Sequence, residues 1–151
     1  MLDRFHRISI AVATLFFAAA PAFAHHGFTV EFDPTKCFDN QGTLTGIDWQ
    51  NPHAYVHIDV KDASGKVAAW SFETISPNSL KRAGTTKDDF LAGVGKPVAF
   101  RACPSKAGGA KYKGEVELLE MTDGIPRVLG QNVENLNADQ VRQHLPDMTQ
   151  K

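Results

Sequence analysis

Five short runs of β-forming residues, with a short capped helix between the third and the fourth, predict a small mainly β domain: a five-stranded OB-type Greek-key barrel. Two further observations point the same way. Each run is bounded by turn residues, and closure into a barrel is the simplest way for such short strands to avoid exposed edges. A two-sheet β-sandwich is the alternative, because one sequence does not show register or handedness.

Element by element, Gly27–Phe32 alternates weakly and reads as a leading strand. The first barrel strand is expected over Thr43–Trp49, after the turn-like Asn40-Gln41-Gly42. Ala54–Val60 is rich in β-formers, and Asp62-Ala63-Ser64-Gly65 is a hairpin turn. The returning strand, Val67–Thr74, places Trp70 and Phe72 on one face. The period then changes. Ser76 suits an N-cap, Pro77 a first turn and Gly84 a stop, and Thr86 and Asp89 have N-cap spacing for one more turn. Strands follow at Pro97–Cys103 and Glu115–Thr122, with a short one at Pro126–Leu129. The polar end, 131–151, reads as a weak helix near 138–145 or a mobile tail.

The 151 residues suit one domain. They begin with a three-part export signature: Arg4 and Arg7, an apolar run from Ile8 to Ala20, then Pro21 and Ala22-Phe23-Ala24. The run is shorter than the roughly 20 residues of a membrane span. The expectation is a signal peptide over 1–24, cleavage after Ala24, a domain over 25–130 and a periplasmic address. An uncleaved anchor is the competing reading. Removing Arg4 and Arg7 together with Asp3 moves the net charge from −1 to −2. That balance gives no electrostatic reason to bind nucleic acid or an anionic membrane, and no later segment is apolar enough to span a bilayer.

Cys37 and Cys103 both lie in the expected exported part, where disulfides persist. A bridge would close a loop of about 67 residues, for roughly 4 kcal/mol. Two thiols acting as soft metal ligands are the alternative. The spacing is too wide for a C-x-x-C motif.

At Trp49-Gln50-Asn51-Pro52-His53 the chain resembles an uncharacterised family of small exported bacterial proteins, a domain of unknown function. The resemblance takes in Ala24-His25-His26-Gly27-Phe28, Gly42 to His53, Asp62 to Gly65, Ser76 to Gly84, Gly93 to Val98 and Asp123-Gly124. It covers roughly 25–130 and implies a periplasmic address and a shared fold, but no activity. The chain departs from the family pattern at Gly27, where serine is usual, and at Thr85, where tryptophan is common. Cys37 and Cys103 and the tail after Gly130 are further departures.

His25 and His26 are the leading chemical candidates. Cleavage would give His25 a free amine beside its imidazole, a pairing that resembles the histidine brace of exported copper oxidases and copper carriers. Such nitrogens suit Cu(II). The other reading is a solvated His-His start. His53 and His57 cannot both bind one ion within a regular strand, where a four-residue step spans about 13 Å. His53, beside the Asn51-Pro52 turn, is the better third ligand, and His57 reads as a hydrogen-bonded strand residue. Trp49, Tyr55 and His57 form a possible ligand face, although Trp49 and Trp70 read more readily as core. The acidic residues Asp33, Asp39, Asp48, Asp59 and Glu73 are scattered, which gives a hydrolase little support.

The expected function is a non-enzymatic periplasmic binding protein for a copper-type metal, through His25, His26 and His53. An envelope module that binds a protein or glycan, with the histidines incidental, is the alternative. A copper-dependent redox enzyme is a weaker third.

Overall fold

A computed structural model describes residues 27–107, 112–133 and 136–148. The strands are β1 (Phe38–Asp48), β2 (Tyr55–Lys61), β3 (Val67–Glu73), β4 (Pro97–Pro104), β5 (Lys113–Glu120) and β6 (Pro126–Val128). The helices are α1 (Phe28–Glu31), α2 (Pro77–Arg82), α3 (Lys87–Gly93) and α4 (Ala138–Gln143).

β1 pairs antiparallel with both β2 and β4, β2 with β3, and β4 with β5. A parallel pairing of β3 with β5 closes the ring. The result is the five-stranded barrel expected from the strand order, with the helical segment between β3 and β4. β5 is shared along its length: its first residues pair with β3 and its last with β6. Among the described residues, no helix is long and apolar enough to cross a membrane.

Strand alternation sends Leu44, Val56, Ile58, Phe72, Phe100 and Val116 into the barrel, where all are fully buried. Leu80 of α2 and Phe90 of α3 join the same cluster and plug the barrel. Caps fix both helices. The Ser76 hydroxyl accepts from the Ser79 backbone N–H, and Thr86 and Asp89 form a reciprocal capping box. Trp70 and Trp49 are partly buried against the core, and Trp70 stacks on Phe72 at 5.1 Å between ring centroids.

Two expectations are corrected. The leading stretch is a helical turn, not a strand: the Phe32 N–H donates to the Phe28 carbonyl, and the Phe28 and Phe32 rings both pack beside Cys103. β1 starts at Phe38, so Asn40-Gln41-Gly42 lies within the strand. Gly42 marks a close backbone approach there, not a turn. A Cβ on it would fall 2.7 Å from the Asp59 carbonyl oxygen.

Cys37 and Cys103 form a disulfide. It ties the N-terminal strap 28–37 to β4, which removes both thiols as metal ligands. At the other end, α4 is docked. Val141, with Val133, packs on Leu118 of β5, and Leu136 and Leu145 pack against that cluster. The Gln41 side chain donates to the Asp147 carbonyl.

Candidate functional site

The inward turn of Val56 and Phe72 leaves Tyr55 and His57 of β2, and Glu73 of β3, on the outer face. Register places Tyr55 opposite Glu73, and the Tyr55 hydroxyl donates to Glu73 Oε2 at 3.1 Å. His53 lies just before β2, after a cis Asn51–Pro52 peptide. Its Nδ1 is 2.9 Å from the Thr74 carbonyl oxygen and 3.4 Å from Glu73 Oε1. A carbonyl has no hydrogen to give, so Nδ1 donates, and in the neutral ring Nε2 carries the lone pair. Carbonyl or carboxylate support of one ring nitrogen is how proteins orient an imidazole that ligates through the other.

The surroundings are only partly wet: the His53 and Glu73 side chains are 16% and 15% exposed. Burial, and then the negative charge of Glu73, pushes the Tyr55 phenol above its ordinary range. Tyr55 therefore stays a neutral donor to Glu73 at any physiological pH.

The other sequence candidates are distributed differently. His57 Nε2 lies 2.9 Å from Asp48 Oδ2 in an exposed pair. Trp49 packs against Phe90, with ring centroids 6.2 Å apart, so it does not join Tyr55 and His57 on the outer face. His25 and His26 lie outside the described residues. Among the described residues, no group of three or more His, Cys, Asp or Glu is placed to hold one metal ion.

Sequence reasoning missed a second acidic feature. Glu115 and Glu117 of β5 also point outward but are only 1% and 0% exposed. Glu115 is the register partner of both Glu73 on β3 and Cys103 on β4. Between Arg101–Leu118 and Ala102–Val116 the ladder skips one residue, so Glu117 is the extra residue of a bulge. Glu117 Oε1 lies 3.9 Å from the Cys103 sulfur, and the Gln131 N–H donates to Glu115 Oε1 at 3.3 Å. Burial and then the charge of Glu117 push the Glu115 carboxyl up to about 8. Burial pushes Glu117 up to about 7, opposed by the Asn132 backbone and by Arg101. In sequence, Glu-Val-Glu reads as an ordinary alternating strand with a wet outer face. The later segment that covers it leaves no mark at these positions.

The model of a family of unknown function, DUF6152, matches residues 13–114. The chain belongs to that family. The matched span takes in Trp49 to His53, Tyr55, Glu73 and both cysteines, and it ends one residue before Glu115. No curated protein and no solved structure matches the chain. Membership supplies no chemistry, so any function must be argued from the side chains.

Proposed function

We propose that this member of the family is a non-enzymatic periplasmic binding protein that takes a copper-type metal ion through His53 and the histidine exposed by leader removal. One observation supports the reading above the rest: His53 is half-buried, with Nδ1 committed to the Thr74 carbonyl and Glu73 beside it. This is the support that orients a ligating imidazole. The donor set would be the His25 amine and ring, with His26 as a substitute, and His53 Nε2. Imidazole and amine nitrogens together suit Cu(II). Glu73 and Tyr55 would act on the ring, not on the metal.

The described residues alone contribute one imidazole, so the reading depends on the processed terminus. The experiment is a copper(II) titration of the protein that starts at His25, of the same protein with one added N-terminal residue, and of His53→Ala. The expected result is at least a tenfold loss of affinity in both altered forms, with loss of nitrogen couplings in the copper resonance spectrum. Equal affinity for the processed and extended forms removes the terminal site. Equal affinity for His53→Ala removes His53.

A further inference from the structure

We propose that Glu115 and Glu117 form a protonation-dependent latch that holds residues 129–133, and with them α4, against the outer face of β5. Both side chains are shut off from water, and each has an Oε2 atom with no hydrogen-bond partner. No lysine, arginine or histidine nitrogen among the described residues lies within ion-pair distance of either. Two carboxylates ionised in that position, with no cation beside them, would each lose their solvation without compensation. The stable arrangement keeps protons on the pair. Their mutual interaction works in opposite senses, raising Glu115 and lowering Glu117, so Glu115 holds its proton longer.

The cover is the C-terminal segment itself. The Leu129 and Gly130 N–H groups both donate to the Glu117 carbonyl, and the Gln131 N–H donates to the Glu115 carboxyl. Gly130 lies so close that a Cβ there would fall 2.6 Å from Glu117 Oε2. On the opposite side stands the disulfide, which cannot move away while it is closed. The segment 129–133 contains no charged residue, so it offers nothing to neutralise an ionised pair.

The charged groups nearby do not relieve the pair. Glu73 on β3 adds a third negative charge beside Glu115. Arg101 on β4 favours the charged form of Glu117, but it is bound to Asp39 at 2.6 Å and contacts His144 at 3.2 Å. Arg142 of α4 lies 3.6 Å from Glu120. Among groups of the strap, the Glu31 charge bears on Tyr55. As pH rises, ionisation therefore leaves one escape, which is entry of water after the C-terminal cover lifts. Below neutrality the cover closes and docks Val141 and Leu145.

The test uses the full oxidised protein and two readouts. Carbon NMR of the glutamate carboxyls is expected to show two groups that titrate above pH 6, both absent from Glu115→Gln/Glu117→Gln. Amide exchange, corrected for its intrinsic base catalysis, reads the cover. Protection over 129–133 and 136–145 is expected to fall about tenfold or more between pH 6 and 9, as local opening would give, while Val56 and Ile58 in the barrel stay protected. The double variant is expected to hold its protection. Pair titration with pH-independent protection overturns the latch, and so does an equal fall in the double variant. Should the double variant fail to fold, Glu117→Gln alone must reduce the fall; an unchanged fall there is equally decisive.

Discussion

Glu73 and Glu115 stand opposite one another in register on the parallel pair β3–β5, and the protein treats them in contrasting ways. Glu73 keeps some access to water, accepts from Tyr55 and sits beside His53. Glu115 is sealed beneath the Gln131 backbone, with one oxygen unpartnered. Two glutamates on one barrel face thus differ because one region is left half open and the other is covered by residues 129–131. The open region orients an imidazole, whereas burial in the covered region pushes both carboxyls above their ordinary range. The contrast shows that an outward position on a strand does not determine what a carboxyl does. What packs over it decides.

The largest way to break the contrast is to cut the tie on the covered side. Cys37→Ser with Cys103→Ser releases the strap from β4 and opens a loop with a sequence separation of 66. The expected loss is about 4 kcal/mol, read by chemical denaturation, and reduction of the native protein should reproduce it. The phenylalanine cluster at Phe28 and Phe32 would loosen, and Glu117 would lose the sulfur at its side. A loss below about 1 kcal/mol would mean that the strap is held by those rings alone.

The next effect appears as pH is varied. Below about pH 4.5 both carboxyls of the covered pair are protonated whether the chain is folded or not. Above that, the unfolded chain releases protons that the fold retains, so stability falls as pH rises through about 7 and 8 and levels off only above the upper value. Asp33, Asp62, Asp89 and Asp123 work in the opposite sense. Hydrogen bonds hold their carboxyls below the usual range, so they lose their contribution only under acid conditions. Between pH 5 and 8 these aspartates stay ionised and add nothing to the slope. Denaturation across that range is expected to show a decline on the order of 5 kcal/mol, flattened by about half in Glu117→Gln. A native profile that is level or rising between pH 5 and 8 contradicts the burial argument.

The barrel was readable from the chain because each level of the sequence agreed with it: β-rich runs, a hairpin at Asp62–Gly65, and caps at Ser76 and Thr86. The strand order put one helical segment between the third and fourth strands, which is where α2 and α3 lie. The failures were local. Phe28 and Phe32 alternate too weakly to reveal a helical turn, and Asn40-Gln41-Gly42 has turn composition although Gly42 serves a close strand crossing. At the candidate site, His53 was singled out for its position after Asn51-Pro52. Its partners Thr74 and Glu73 come from the next strand, and sequence order alone does not state that pairing. Glu115 and Glu117 were harder still, because their burial depends on residues 129–133 folding back over β5.

The smallest effect is expected at His57, and it sharpens the comparison from the open side. His57 and Asp48 form an exposed pair at 2.9 Å, with the Asp48 side chain 61% exposed. Exposed pairs contribute roughly 0–1 kcal/mol and are weakened by salt. His57→Ala is therefore expected to change stability by less than about 1 kcal/mol and to leave the pH 5–8 decline intact, because His57 touches neither covered carboxyl. It should also leave copper affinity unchanged, since its partner lies on β1, away from Thr74 and Glu73. His53→Ala, by contrast, removes the imidazole held by Thr74 and is expected to lower that affinity. If His57→Ala weakened copper binding while His53→Ala did not, the metal would have to sit at the exposed His57–Asp48 pair, and the support of His53 by Thr74 and Glu73 would be purely structural.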